Sequence, residues 1–538
     1  MAIAIFKLPI SRRPIFPFIL NSSQSRHLQT SVCSWASAAA AASTILVPDE
    51  ANFIIKPIKS QTPGDEKMQQ WKKLSSKKLG ISTSQISGPT KVVLKELKKK
   101  GYEVYLVGGC VRDLILKRVP KDFDILTSAE LREVIKTFRH AVIVGQRFPI
   151  CHVHIGDHVI EVSSFSTGAK RSDKNLPLLL EKPIGCTEKD KIRWRNCMRR
   201  DFTINGLMFD PFARLVYDYT GGLEDIKKAK LRTIIPASIS FQEDCARVLR
   251  GIRIAARLGF RLERETAQCV RTSSYTILRL GKGRFLMEMN YMLAYGSAEA
   301  SLRLLWKFGL LEILLPHQAA YLVRSGFRRK DRGSNLLLAL FANLDKLLAP
   351  DRPCDSSLWV MLLAFHMALS GKSRSPSVVA AFALAINNGG DIEEAVDIAI
   401  MISRPSEQKY HELLETQISE KTALKKELLN LAVSVNMALS SMTDEHAVSR
   451  AMAKYPQAPH SDLVIIPLGL YIRVCNILES VSKGRKHGFI KKGGKIDYDM
   501  LAIGRSSEVR HVFARVVFDT IYPLELNSTG RSVAEYMS

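Results

Sequence analysis

The sequence predicts an α+β chain, with a short strand-and-helix unit towards the front and a long helical stretch behind it. Three observations predict this. Between Tyr102 and Ser163, short runs rich in Val, Ile and Tyr are punctuated by Gly and Asp. After Phe241, apolar residues recur at helical spacing almost to the end, with few strand signals. No repeat of fixed period runs through the 538 residues, so a solenoid is not indicated, and that length suggests two to four domains.

Taken in order, residues 1–48 contain no Asp or Glu, carry Lys7, Arg12, Arg13 and Arg26, and are rich in Ser and Ala. That is the composition of an organellar transit peptide, with a plain N-terminal tail as the alternative. The run from Arg26 to Ser31 favours mitochondrion over chloroplast. Residues 49–85 are polar and mixed, and read as a linker. From Thr90 to Lys100 the pattern is helical, with Val93, Leu94 and Leu97 on one face and Gly101 as the stop. Tyr102–Val107 and Asp122–Leu126 read as strands, Ala129–Phe138 as a helix and Ala141–Val144 as a strand. Cys151–Ile155 and His158–Ser163 form a hairpin that turns at Gly156-Asp157. Phe165–Asn196 is irregular and charged, and reads as an insertion or loop. Helices are expected at Gln242–Leu258, Arg284–Leu293, Ala298–Leu314, Leu336–Leu348 and, as a buried core helix, Leu358–Leu369. The run Lys483–Lys492 is basic with one aromatic, either an RNA contact or a solvated loop.

Lys and Arg total 78 against 52 for Asp and Glu, a net charge of +26. A surplus of that size points to a polyanionic partner, since each phosphate neutralised releases counterions. The alternative is a basic leader plus solubility, but most of the surplus lies in the body of the chain. The nine cysteines are odd in number and none has C-x-x-C spacing, which argues against a disulfide framework and a structural zinc site. No segment reaches the ~18–20 uncharged apolar residues of a membrane helix. No membrane partner and no obligate protein partner are indicated.

Chemistry gathers in a few motifs. In Leu106-Val107-Gly108-Gly109-Cys110-Val111-Arg112-Asp113, two glycines follow a strand and precede a helix, where backbone N–H groups can approach a phosphate. A structural turn is the alternative, and the spacing is not that of a dinucleotide fingerprint. In Asp122-Phe123-Asp124 the two carboxylates would share one side of a strand. Like charges that close are costly without a cation, so the pair suggests Mg²⁺ held together with substrate phosphates. The alternative is an exposed Asp-x-Asp turn. Glu161, on the hairpin, would add a third carboxylate. Arg199-Arg200-Asp201-Phe202-Thr203-Ile204-Asn205 offers paired arginines for phosphates, or a solvated basic pair. Asp218-Tyr219-Thr220-Gly221-Gly222-Leu223-Glu224-Asp225 places a second Gly-Gly turn between acids. Glu243-Asp244-Cys245-Ala246-Arg247 opens a helix, where the charges serve either the helix itself or the reading of a base edge.

In this order and spacing the five motifs resemble the family of class II tRNA nucleotidyltransferases and bacterial poly(A) polymerases, over about residues 92–320. Pro120-Lys121-Asp122-Phe123-Asp124 and the run Val144–Val153 look closer to the poly(A) polymerase branch. The resemblance implies a nucleotidyltransferase head with a mixed sheet (residues 86–240), a helical neck that binds nucleotide and RNA (241–330), and a helical body and tail (331–538) that grips RNA. It implies two Mg²⁺ ions on Asp122 and Asp124, with Gly108, Gly109, Arg112 and Asp113 near the triphosphate. It further implies Arg200, Asp201 and Asn205 on ribose or phosphates, and Glu243, Asp244 and Arg247 on the base. Arg284 and Glu288 match the Arg-x-x-x-Glu of the helix that follows. Five residues depart from the pattern: Lys117, Gly206, the pair Cys245-Ala246, and Gly251 in a helix. The implied activity is template-independent addition of adenylates from ATP to the 3′ ends of RNA, whether mRNA, tRNA or another organellar RNA. The alternatives are CCA addition to tRNA and a catalytically inactive RNA-binding protein.

Overall fold

The structure is a computed structural model that describes residues 71–145, 149–168, 185–402, 410–416, 418–452, 462–484 and 494–522. All of these fall in one compact unit, residues 66–538. The expected transit peptide, the first part of the expected linker, Gln146-Arg147-Phe148, residues 169–184 of the expected insertion and nearly all of the basic run 483–492 lie outside the described residues.

The front half is built on one eight-stranded mixed sheet. Its strands are β1 (Lys72–Ser75), β2 (Val104–Val107), β3 (Asp124–Thr127), β4 (Ala141–Val144), β5 (Ile150–Ile155), β6 (His158–Ser164), β7 (Met208–Asp210) and β8 (Leu215–Asp218). The order is β1-β8-β7-β2-β3-β6-β5-β4, and only β3 and β6 run parallel. Alternation along β2 divides its side chains between two cores. Val104 and Leu106 pack with α1 (Gly88–Lys99), α2 (Gly109–Ile115) and α3 (Leu131–Thr137) on one face. Tyr105 and Val107 pack on the other face with Trp194 and Met198 of α4 (Glu188–Met198).

The sheet departs from expectation at three places. Lys72–Ser75, expected as linker, pairs with β8 as an edge strand. β7 and β8 carry no strand signal in the sequence, because Pro211 to Arg214 leave them only three and four residues long. The end of the expected insertion is the helix α4. Thr187 and Asp190 cap it reciprocally, and Trp194, Cys197 and Met198 bury one side. Its charges are internal: Arg193 reaches Asp190 at 2.9 Å and the Tyr105 hydroxyl at 2.8 Å.

The rest is helical apart from one short parallel pair, Lys230–Leu231 with Arg261–Leu262. α5 (Gly222–Lys227) is followed by α6 (Ala237–Glu243), α7 (Ala246–Leu258), α8 (Arg264–Thr272), α9 (Lys282–Leu293), α10 (Ala298–Lys307), α11 (Leu311–Leu314), α12 (Pro316–Arg324), α13 (Leu336–Leu347) and α14 (Ser356–Gly371). Further helices follow as far as Ser506–Ile521. One apolar core runs from Ala237 to Ile521 and crosses residue 330 without a break. Two helices expected as single are broken. Asp244 is extended (φ −149°, ψ 99°) and separates α6 from α7. Gly309, at φ 73°, separates α10 from α11. A small cluster of Phe202, Ile204, Leu231, Ile254 and Phe260 ties the sheet unit to α7.

Candidate active site

The register of the sheet assembles the site. Val107 at the end of β2 pairs with Asp124 at the start of β3, so the chain turns at Gly108 directly beside that carboxylate. Gly108 sits at φ 77°, ψ −140°, a conformation that L side chains rarely adopt. A Cβ there would stand 3.0 Å from Nη1 of Arg200 and 3.5 Å from Oδ2 of Asp124. On the other side β3 pairs with β6, Ile125 with Val162, which sets Asp124 and Glu161 one step earlier on neighbouring strands. The strand begins at Asp124, two residues later than expected. β2 has already ended opposite it, so Asp122 and Phe123 have no ladder partner.

Asp122, Asp124 and Glu161 nevertheless line one cleft, a cavity of about 260 Å³, together with Gly109, Arg112 and Asp113. Burial pushes the Asp124 carboxyl up to about 6, and the charges of Glu161 and Asp122 add to the push against the opposing pull of Arg200. Like charges in one cleft repel, and a divalent cation would relieve that repulsion. Among the described residues no three His, Cys, Asp or Glu side chains converge closely enough to hold one ion. Two aspartates fit Mg²⁺, which is commonly held by one or two carboxylates with water and substrate phosphates completing its shell.

Other expected contact residues are bonded to one another. Arg112 is buried; its Nε lies 2.9 Å from Oδ1 of Asp113, and its Nη1 donates to Oδ1 of Asn205 at 2.8 Å. The Asn205 amide donates to Oδ1 of Asp201 at 3.0 Å, and Oδ2 of Asp201 accepts from Arg250 at 3.1 Å. Burial would raise the Asp201 carboxyl, but Arg250, Asn205 and the Phe202 N–H outweigh it and hold it below the usual range. Asp201 and Asn205 therefore position arginines here and do not line the cleft. Glu243, Asp244 and Arg247 do not line it either. Arg247 donates to Glu243 at 3.0 Å, to the Ser240 hydroxyl at 2.9 Å and to the Arg199 carbonyl at 3.1 Å, clamping the α6–α7 break onto the arginine pair.

The second Gly-Gly turn is structural. Asp218 accepts from the backbone N–H groups of Thr220, Gly222 and Leu223, and a Cβ on Gly222 would lie 2.2 Å from the Thr203 carbonyl oxygen. The turn braces the segment that carries Asp201 and Asn205. The departures from the family pattern also have local reasons. Lys117 holds a glycine-like φ of 58° while its amine donates to the carbonyls of Leu79 and Gly80 at 2.9 and 2.6 Å. A Cβ on Gly206 would lie 2.7 Å from the Thr220 hydroxyl.

Part of the lining of the cleft carries no signal singled out from the sequence. Lys121, Arg253, Arg257, Tyr291 and Tyr295 belong to it. The Lys121 amine lies 5.0 Å from the centre of the Tyr295 ring, and the Arg253 guanidinium 4.7 Å from that of Tyr291. Glu288, fully buried on α9, receives Arg253 at 3.3 Å and Arg284 at 2.8 Å, tying α9 to α7. The available signal was spacing: Arg250, Arg253 and Arg257 recur at three and four residues, one side of a helix.

Residues 104–232 match the family model described as "Poly A polymerase head domain", and residues 259–322 the one described as "Probable RNA and SrmB- binding site of polymerase A". The chain is 36% identical over 239 residues to Poly(A) polymerase I of Haemophilus influenzae, covering 43% of this chain and 51% of that one. It is 32% identical over 324 residues to Poly(A) polymerase I of Escherichia coli, covering 57% and 67% respectively. The match thus spans about half of the first relative and two thirds of the second. It is also 34% identical over 219 residues to the CCA-adding enzyme of Geobacillus thermodenitrificans, covering 40% and 52%. Among solved structures, the Bacillus stearothermophilus CCA-adding enzyme in complex with CTP aligns at 22% identity and a TM-score of 0.41, covering 74% of this chain and 94% of that one.

Proposed function

The chain belongs to the nucleotidyltransferase family that holds the bacterial poly(A) polymerases and the CCA-adding enzymes, and from that premise we propose that it adds adenylates from ATP to RNA 3′ ends without a template. One observation carries the reading: Asp122, Asp124 and Glu161 line one cleft beside the Gly108-Gly109 turn. In the proposed reaction the RNA 3′-hydroxyl oxygen attacks the α-phosphorus of ATP and the bond to the bridging oxygen breaks, releasing pyrophosphate.

Asp122 and Asp124 are the residues that would hold magnesium, which when bound supplies Lewis acidity at the phosphates. Arg112 and the cationic wall of Lys121, Arg253 and Arg257 supply fixed positive charge for the triphosphate. Asp201 and Asn205 act through the arginines they hold, as positioning residues. Glu243, Asp244 and Arg247 are the groups for base selection, with Arg247 bonded to Glu243 and to the Arg199 carbonyl.

The Pro120–Asp124 and Val144–Val153 segments support adenylate addition over CCA addition. CCA addition stays as the second reading, because a CCA-adding enzyme is 34% identical over 219 residues. Purified protein is offered tRNA lacking its 3′ end and an unrelated RNA, with each nucleoside triphosphate in turn. Repeated use of ATP alone on both RNAs is the expected result. Ordered use of CTP then ATP, stopping after three additions on tRNA only, overturns it. We propose an organelle as the site of action, on the acid-free composition of residues 1–48, and mitochondria over chloroplasts on the run from Arg26 to Ser31. A fluorescent fusion of those residues that stays in the cytosol refutes this.

A further inference from the structure

Residues 116–123 run from the end of α2 to the start of β3 and carry Asp122, which has no ladder partner to fix it. Three basic side chains of this loop reach out to other elements. Arg118 donates through Nη1 to the Arg257 carbonyl at 3.1 Å, and the Lys121 amine sits over the Tyr295 ring. Val119, between them, is 93% exposed. The third tie is made by Lys117, whose amine donates to the carbonyls of Leu79 at 2.9 Å and Gly80 at 2.6 Å. Those carbonyls stand on a fixed support. The Ser76 N–H donates to the Arg214 carbonyl at 2.9 Å, the Ile81 N–H donates to the Ser76 carbonyl at 2.9 Å, and Ile81 is buried in the core beneath the sheet. Leu79 and Gly80 also precede residues 104–232, the part that matches the head-domain model.

Two further observations single out Lys117 from the other basic side chains. Its φ is 58°, in the left-handed region that side chains with a Cβ rarely adopt. A residue stays there only where its surroundings over-determine it, and such strain gathers at functional sites. The second observation lies across the contact. A Cβ on Gly80 would stand 2.1 Å from the Lys117 Nζ, so the amine fills the space that the absent side chain leaves. A solvated surface lysine needs neither a strained backbone nor a glycine opposite it.

We propose that Lys117 is a positioning residue for nucleotide addition: its amine braces the loop against Leu79 and Gly80 and so fixes where Asp122 stands in the cleft. This rests on the reading that Asp122 holds magnesium. The brace comes from a segment outside the matched head, so the catalytic loop of this chain depends on its own preceding residues. A shift of ~1 Å at a reacting centre can cost ~10²-fold in rate, which is why a tie five residues from the carboxylate matters.

The test uses the full chain with Mn²⁺ as the metal probe and α,β-methylene-ATP, whose bridge cannot be cleaved, and reads free Mn²⁺ by electron paramagnetic resonance. Lys117→Gly removes the amine and relieves the backbone strain together. It should melt no lower than wild type, yet bind Mn²⁺ about fivefold more weakly. In addition assays with Mg²⁺ and ATP its kcat should fall about tenfold while the KM for ATP stays within about twofold, because the arginines around the triphosphate are untouched. Gly80→Ala drives the amine away from the other side and should weaken Mn²⁺ binding by a similar factor. The double variant Lys117→Gly/Gly80→Ala should bind Mn²⁺ no more weakly than Lys117→Gly, since no amine is left to displace. Wild-type Mn²⁺ affinity and kcat in Lys117→Gly overturn the proposal, and so do losses that multiply in the double variant. A Lys117→Gly chain that melts several degrees lower, or does not fold, makes Lys117 a structural support and overturns it as well. Mn²⁺ binding by wild type no tighter than by Asp122→Asn overturns this proposal and the metal role of Asp122 together, whereas tight binding by wild type with no effect of the variants overturns only this one.

Discussion

The chain uses the same local device twice, a strand followed by Gly-Gly and a short helix, and the two copies do different work. At Gly108-Gly109 the atoms that a Cβ would meet are the charged tips of Arg200 and Asp124. At Gly221-Gly222 they are the backbone of Thr203, 2.2 Å away. The first turn leaves room for chemistry. The second removes a side chain so that two backbones can touch. Strand order makes the difference: β2 lies next to β3, which begins with Asp124, whereas β8 lies between β7 and the edge strand β1. A dipeptide in the sequence fixes how the chain bends, and its neighbours across the sheet decide what the bend serves.

The largest effect that sharpens this contrast is expected at Asp124. Asp124→Asn should lower nucleotide addition by roughly 10³-fold or more, because it removes a carboxylate of the proposed cation site. It should also stabilise the metal-free protein. The Asp124 carboxyl is pushed up to about 6, above its ordinary value, so its ionised form is disfavoured in the folded state. The stability it contributes is full at low pH and is lost as pH rises through 6. In magnesium-free buffer at pH 7 the variant should therefore melt at a higher temperature than wild type, with the gain vanishing near pH 4. A variant that keeps its activity, or that melts lower at pH 7, removes Asp124 from the role given to it.

Next come the two turns themselves. Gly222→Ala forces a Cβ against the Thr203 carbonyl, and no side-chain rotation relieves a backbone contact. It should cost on the order of 3 kcal/mol or more, read as a fall in melting temperature. Gly108→Ala meets the flexible end of Arg200, and its penalty of roughly 1–3 kcal/mol comes chiefly from the backbone conformation. Its activity, measured on protein still folded at the assay temperature, should fall well beyond what the stability loss explains. The contrast between the turns breaks if Gly222→Ala proves the milder for stability, or if Gly108→Ala keeps full activity.

Most of the sheet unit was legible because its signals are local. Alternation marked the hairpin at Gly156-Asp157, and helical spacing marked α1 and α7. The two short strands β7 and β8 and the edge strand β1 were not, since their identity comes from ladder partners far away in sequence. The carboxylate pair and the Gly-Gly turn were legible as motifs. That Asp201 and Asn205 are turned onto Arg250 and Arg112 was not, because an arginine's partner is set by tertiary packing. The same holds for Lys121, Arg253 and Arg257: the helical spacing of the two arginines is visible, but their place in one cleft with the carboxylates is not. In the helical half, apolar periodicity found the core helices, while Asp244 and Gly309 broke two of them where only backbone geometry reveals it.

The smallest effect tests how tightly α7 is held against the site. Gly251 lies within that helix, where alanine is favoured over glycine by ~1 kcal/mol. On propensity alone, Gly251→Ala stabilises. A Cβ there, however, would stand 3.0 Å from the Cζ of Phe202, a fully buried ring in the cluster that joins α7 to the sheet unit. The ring also follows Asp201 directly, so any displacement passes to the carboxylate that holds Arg250. Interior packing leaves little room for a rigid ring to move. The steric cost should then exceed the propensity gain, lowering the melting temperature slightly and raising the KM for ATP. A higher melting temperature with unchanged KM shows instead that Phe202 yields, and that the contact between α7 and the motif segment is looser than the one at Gly222.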